Sequence, residues 1–130
     1  MEVALRALLA AYAPLAALVG TRITWNEIPQ GAADPNVSLF NVVPGVSYTY
    51  AGPSTLRGAL VQINIRALTY ASAVAVRDAL EARLSGFSGV QGAVEFGGIF
   101  LRDTRSATEK PGATLYHTIQ MDFEVWHSPA

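Results

Sequence analysis

The sequence has no cysteine and few charged residues. Asp, Glu, Lys and Arg make up 15% of its 130 residues, whereas a typical globular protein has about 25%. Without cysteine the chain has no disulfides, no thiolate zinc site and no cysteine nucleophile, and its composition is compatible with a reducing cytosol. The formal net charge is −1, so the chain has no broad basic field to attract nucleic acid. Low charge leaves much of the surface for protein partners, and we expect an obligate oligomer.

Long apolar runs are lacking as well. Arg6 precedes an Ala- and Leu-rich stretch that is too short to span a bilayer and has the wrong flanks for a signal peptide. We therefore expect a soluble, cytoplasmic product with no membrane partner. Because 51% of the residues are hydrophobic, a chain of this length can bury one core, and we expect residues 1–130 to form a single domain.

Two segments alternate apolar and polar residues almost without error, as half-buried β-strands do. They cover residues 57–67 and 114–126. Between them, Thr69 is a suitable N-cap for a helix from Tyr70 to about Leu84 with an apolar stripe along one side. The expected fold class is α+β. We expect a mixed, mainly antiparallel sheet of about four to five strands, with an N-terminal kinked helix and one central helix packed on one face.

The kinked helix is predicted from the start of the chain. Apolar residues at helical spacing favour a helix over residues 2–12, Pro14 interrupts it, and Gly20 closes a short second helical segment as a left-handed cap. Short strands are expected at Arg22–Trp25 and Asn36–Val43. Two prolines and a glycine in residues 28–35 break any regular element between these strands.

A first hairpin is expected to project from the sheet at residues 46–54, where Gly52-Pro53 supplies the turn. Tyr48 and Tyr50 share a strand face in this hairpin. Aromatic residues at an exposed tip are favoured in protein interfaces. The alternative is that both rings fold back over the sheet edge.

A second hairpin begins at Val94 and is expected to bend with a β-bulge at Gly97-Gly98. Residues Asp103 to Gly112 contain charges of both signs and Pro111-Gly112 turn chemistry, which predicts a polar tip. Such charges could form ion pairs between subunits or could be solvated. The final strand follows this tip.

No group of residues specifies a reaction, and no nucleophile elbow or phosphate-binding glycine loop occurs. His117 and His127 are about 33 Å apart along an extended strand, which is too far to share one metal ion. Asp122 and Glu124 lie on one strand face, but polar residues alternate on any solvated face and His117 lies on the opposite one. We therefore expect no catalytic residue, no metal site and no cofactor.

The order of landmarks along the whole chain resembles the tail-completion or tail-terminator family of long-tailed bacteriophages and phage-like gene transfer particles. The segments that carry this resemblance are short and spread from the first helix to the last strand: Leu18-Val19-Gly20, Arg22-Ile23, Pro29-Gln30-Gly31, Pro35, Gly52-Pro53-Ser54, Val61-Gln62-Ile63, Gly98-Ile99-Phe100-Leu101 and Asp122-Phe123-Glu124-Val125-Trp126-His127.

The resemblance implies a structural protein of the virion, of the siphovirus type, and not an enzyme. Members of that family form a ring, usually a hexamer, at the head-proximal end of the tail tube, where they end tube polymerisation and join the tail to the neck and head. The implied partners are further copies of this chain, the tail-tube protein and a neck or head-completion protein. The resemblance implies DNA only as cargo that passes through the ring. It also implies that the particle is assembled in the cytoplasm of a bacterial host.

On this interpretation the two hairpins are the expected contact regions, with two strand arginines as further candidates for acidic partners. The candidate interface residues are Val46, Tyr48, Tyr50, Arg57, Arg66, Arg102, Asp103, Arg105, Glu109 and Lys110. Two other functions stay open. One is a tail-tube or neck (head-tail joining) component, and the other is a small-molecule-binding or hydrolytic domain with a pocket between the helix of 69–84 and the sheet.

Overall fold

The computed structural model describes residues 1–26, 35–45, 48–49, 52–53, 55–110 and 112–130. In this part of the chain there are three helices and eight strands. The helices are α1 (Glu2–Ala10), α2 (Ala13–Val19) and α3 (Tyr70–Leu84). The strands are β1 (Ile23–Trp25), β2 (Asn36–Val43), β3 (Tyr48–Thr49), β4 (Gly52–Pro53), β5 (Arg57–Ala67), β6 (Gly89–Gln91), β7 (Val94–Glu109) and β8 (Tyr116–Pro129).

Six of the strands form one sheet in the order β1-β2-β5-β8-β7-β6. The β1–β2 pair is parallel and all other neighbours in this sheet are antiparallel. The remaining strands, β3 and β4, pair with each other. The α+β class and the mixed, mainly antiparallel sheet are thus confirmed. The sheet has six strands rather than four to five because β6 is only three residues long and its first residue, Gly89, reads as a helix stop in the sequence.

One face of the large sheet holds the hydrophobic core. Along β5 and β8 every second side chain is buried on this face, as the period-2 pattern predicts. Helix α3 packs against β5, β7 and β8, and α1 packs against β1 and β6. No described helix covers the other face, which we call the open face. On the two central strands this face includes the side chains of Leu60, Gln62, Asn64, Arg66, Tyr116, Thr118, Gln120, Asp122, Glu124 and Trp126.

The two N-terminal helices meet at an angle of 88°. Pro14 lies in the first turn of α2, where its missing N–H is harmless, and Gly20 follows that helix with a φ of 58°. The kink is therefore confirmed. Gly20 does follow α2 with positive φ, but its ψ of −123° lies outside the left-handed helical region expected for the cap. Among the described residues no single helix is long and apolar enough to cross a membrane; α1 and α2 reach the required length and apolarity only as this bent pair.

Helix α3 begins and ends where the sequence predicts. The Thr69 hydroxyl accepts a hydrogen bond from the backbone N–H of Ser72 at 3.2 Å, which satisfies one of the free donors of the first turn. The predicted stripe is buried against the sheet and consists of Ala73, Val76, Leu80 and Leu84.

The second hairpin differs from the prediction. Residues 103–109, expected to belong to a polar tip, continue β7 as a regular strand that pairs with β8 as far as Glu109 and Tyr116. All side chains from Arg102 onward on β7 are exposed, so no apolar alternation marks the strand. The bulge at Gly97-Gly98 is confirmed, and a second register shift lies between Leu101 and Asp103.

The far half of β7 forms a free edge of the sheet. Strand β6 pairs only with residues 94–96, and the backbone of Ile99 bonds to Gly86 and Phe87. From Arg102 to Glu109 the outer edge of β7 pairs with no other described strand. Unpaired N–H and C=O groups along such an edge are a template for pairing with another chain.

Candidate interaction surface

Arginines and carboxylates pair across β7 and β8 on the open face. The Arg105 guanidinium donates to Asp122 Oδ2 at 3.0 Å and also contacts Asp103 on its own strand. The hydrogen bond from Arg105 to Asp122 raises the pKa of the guanidinium. Arg102 donates to Glu124 in the same way. Because the arginines of both pairs are exposed, solvent screens these ion pairs and each contributes little to the stability of the fold.

A further arginine lies nearer the β7–β8 turn. Arg66 Nη1 is 3.8 Å from Glu109 Oε1, and its guanidinium carbon lies 3.8 Å from the centre of the Tyr116 ring. This arrangement combines an ion pair with a cation–π contact. We call the paired charges of the open face the charge ladder; its members are Arg66, Arg102, Asp103, Arg105, Glu109, Asp122 and Glu124.

Uncharged polar groups cover the area beside the charge ladder. Gln62 Nε2 donates to Asn64 Oδ1 at 3.2 Å, and Asn36 and Ser38 are buried on β2. A cavity of about 350 Å³ lies between Asn36, Ser38 and Asn64 on one side and Arg105 on the other. This end of the open face is therefore polar, and most of its charges are paired with one another.

The opposite end of the open face is apolar. The indole of Trp126 lies over Gly58, where an added Cβ would be 2.8 Å from Cη2 of the ring. The Phe100 ring covers Gly98 in the same manner and remains 51% exposed, and Val43 is 48% exposed. Exposed apolar side chains beside a polar surface are typical of protein contact sites.

The structure brings five of the predicted interface residues together in the charge ladder: Arg66, Arg102, Asp103, Arg105 and Glu109. Lys110 follows directly at the end of β7 and is exposed. Arg57 lies at the other end of β5 and on the opposite face, as its parity predicts. Val46 and Tyr50 lie outside the described residues, and of Tyr48 the structure describes only the backbone, in β3.

The candidate catalytic residues do not converge. His117 lies edge-on to Tyr70 at 6.1 Å between ring centres, while Asp122 and Glu124 are paired with arginines on the open face. No three metal-ligating side chains come together anywhere in the described ranges. Val76 and Leu80 on the sheet-facing side of α3 have no exposed surface, so at these residues α3 is packed directly on the sheet.

The arginine–carboxylate pairs were missed at the sequence level. Arg105 lies opposite Gln120, and Asp122 is the next residue on the same face. Such diagonal neighbours are within reach of long side chains once a register is known. The alternation of β8 already places Asp122 and Glu124 on one face. Their pairing with arginines can be predicted only if residues 103–109 are recognised as a strand.

The chain is similar to known proteins in both its sequence and its fold. The family described as tail completion protein gp17 matches residues 3–128 of the chain. No curated protein matches the sequence at a significant level. Among solved structures, 14 chains match. One belongs to the structure titled "Virion of native gene transfer agent (GTA) particle"; it has a TM-score of 0.72 and 23% sequence identity, and the match covers 98% of this chain and 94% of that chain. At this identity the match shows a shared fold.

Proposed function

The chain belongs to the tail completion protein gp17 family, and on that premise we propose that it forms a ring at the head-proximal end of a phage-like tail tube. It is a structural tail protein of a virion and not an enzyme. In our proposal the ring ends tube polymerisation and offers its other side to a neck or head-completion protein. The family match over nearly the whole chain carries this proposal.

The free edge of β7 supports a ring of identical subunits. Residues 102–109 present a strand edge that pairs with no other strand in the described part of the chain, and every side chain in this segment is exposed. An isolated subunit with such an edge is prone to uncontrolled pairing, whereas a closed ring covers it. We propose a hexamer built from single-domain subunits of residues 1–130.

The charge ladder and the first hairpin are the proposed contact regions with other copies, the tube protein and the neck protein. Exposed ion pairs contribute little to the fold of one chain, but they can determine orientation and partner choice at an interface. We propose that Tyr48 and Tyr50, with Val46 beside them, contribute apolar contacts, and that Arg105, Arg102 and Lys110 contribute charged ones.

The charges of the open face suit a surface along which DNA passes without binding. Three arginines of the charge ladder are paired with carboxylates, and the net charge of the chain is −1. Tight DNA binding needs unpaired cations that neutralise phosphates. We therefore propose that DNA is cargo and not a ligand.

The test is the mass of the purified protein in solution, alone and mixed with the tail-tube protein of the same particle. Light scattering measures the assembly state, and negative-stain imaging shows where the protein sits. Rings at one end of each tube are expected. A protein that extends the tubes would instead be a tube component, and a monomer or dimer that ignores tubes would contradict the proposal.

Substitutions in the contact regions test which surfaces are used. Tyr50→Ala and Arg105→Glu are expected to leave the thermal unfolding temperature nearly unchanged while reducing the fraction of capped tubes and of heads joined to tails. Glu81→Lys is the matched control, because Glu81 is exposed on α3, away from the open face. Normal head attachment by both contact variants would overturn the interface assignment.

A further inference from the structure

A second polar site lies at the end of the sheet opposite the β7–β8 turn. Arg57 on β5 and His127 on β8 are direct partners in the antiparallel register. They line a cavity of about 420 Å³ together with the hydroxyl-bearing residues Thr55 and Ser128. The other lining residues are Met1, Ala93, Val94 and Pro129. No carboxylate belongs to this lining.

Arg57 is the unusual arginine of the chain. Its side chain is exposed, and it makes no hydrogen bond or ion pair with any described residue. The other arginines each contact a carbonyl, a carboxylate or an aromatic ring: Arg6, Arg22, Arg66, Arg77, Arg83, Arg102 and Arg105. A guanidinium has five donors in a fixed fork and is suited to a bidentate carboxylate contact.

His127 faces mainly positive groups. Burial lowers the pKa of its imidazole, and the amino group of Met1 and the Arg57 guanidinium lower it further, while Glu2 opposes them weakly. Its register partner on β7 is Phe96, which carries no charge. An anion in the cavity would offset this repulsion and favour the protonated imidazole.

We propose that the Arg57–His127 cavity is a binding site for a single carboxylate, supplied by a side chain of a neighbouring protein chain. The Arg57 guanidinium and the neighbouring imidazole, which a bound anion would help to protonate, match one oxyanion, and the hydroxyls of Thr55 and Ser128 add donors. The apolar lining of Ala93, Val94 and Pro129 suits the hydrocarbon stem of an Asp or Glu. A phosphate backbone would instead require a run of unpaired cations, which the described surface does not present. This site does not depend on ring formation.

Proton NMR of the two imidazoles tests the site with acetate as the probe. The pKa of His127 is measured in sodium acetate and in sodium chloride at equal ionic strength, with His117 at the other end of β8 as an internal reference. We expect acetate to raise the pKa of His127 towards or above its ordinary value of about 6.5, with saturation, and to leave the imidazole resonances of His117 at a fixed pH unchanged. Sodium phosphate is titrated in parallel.

The Arg57→Ala variant is expected to weaken acetate binding about tenfold, because a hydrogen bond to a charged group is lost. Arg77→Ala is the matched control, since Arg77 is an exposed arginine on α3 that pairs with Asp78, and it should bind acetate normally. The proposal would be overturned if acetate had no saturable effect on His127, or if it affected both histidines equally. It would also be overturned if Arg77→Ala lost acetate binding while Arg57→Ala kept it. Phosphate binding tighter than acetate binding would overturn the choice of a carboxylate.

Discussion

Phe123→Ala is the substitution that tests the two faces of the sheet most directly. Phe123 lies in the middle of β8, paired with Val61 on β5 and Leu101 on β7, and none of its surface is exposed. Removing a fully buried phenyl ring loses its transfer free energy and leaves a cavity, which together cost about 3–5 kcal/mol. For a chain of this length that predicts a fall in the thermal unfolding temperature of roughly 12–20 °C.

Phe100→Ala is the matched control, because it is the same chemical change one strand away. The Phe100 ring is on the open face and is 51% exposed. Because only about half of this side chain is buried, its removal loses only about half of the transfer free energy of a fully buried ring, and it leaves no enclosed cavity. We therefore expect the free energy of unfolding to fall by about 1 kcal/mol. The difference between the two variants isolates the effect of the core.

Thermal and urea unfolding followed by circular dichroism measure both variants. The expected result is that the two curves keep a single cooperative transition and that Phe123→Ala unfolds at least about 8 °C below Phe100→Ala. If Phe100→Ala were the more destabilised of the two, the helix-covered and open faces would have been assigned the wrong way round. Phe123→Asp should unfold the domain altogether, because it buries an unpaired charge.

Two other predictions concern the backbone and the pH dependence of folding. Gly45→Ala should destabilise the fold by at least about 2 kcal/mol more than Gly86→Ala. Both glycines have positive φ, but a Cβ at Gly45 would overlap the carbonyl oxygen of Gly58, whereas a Cβ at Gly86 would meet no other atom. Equal urea midpoints of the two variants would refute the close approach of Gly45 to Gly58. Burial, the amino-terminal charge and Arg57 lower the pKa of His127, so the unfolded chain binds its proton at higher pH than the folded protein does. Stability from neutral His127 is therefore fully present above about pH 6.5 and is lost as the pH falls. His127→Gln should reduce the loss of stability between pH 7.5 and pH 5.5 in chloride buffers, and an unchanged loss would contradict the assignment.

The central part of the fold could be predicted because its local patterns and its packing agree. Strand β5 begins and ends at the predicted residues, since its apolar residues alternate regularly and every second one is buried: Ala59, Val61, Ile63, Ile65 and Ala67. Thr69 marks the start of α3 for an equally local reason, the hydrogen bond to the Ser72 N–H. Neither element depends on knowing a distant part of the chain.

The outer half of β7 could not be predicted because its structure is determined by its partner strand. Its side chains are exposed on both faces, so Asp103 and Glu109 look like loop residues. Pairing with β8 overrides that local preference. The charge ladder depends on the same pairing, and for this reason the sequence identified several of its members without indicating how they contact one another.

The position of β8 in the sheet also governs when the protein can fold. Strand β8 lies between β5 and β7, although both of them precede it in the chain. During synthesis, the first 115 residues therefore contain two separate parts of the sheet, β1-β2-β5 and β7-β6, with no strand between them. The core closes only after Tyr116–Pro129 has left the exit tunnel and inserted between them. Contacts between such distant segments form slowly, and the waiting edges of β5 and β7 are exposed to aggregation meanwhile. A truncation before β8 should thus yield insoluble chains rather than a smaller folded domain.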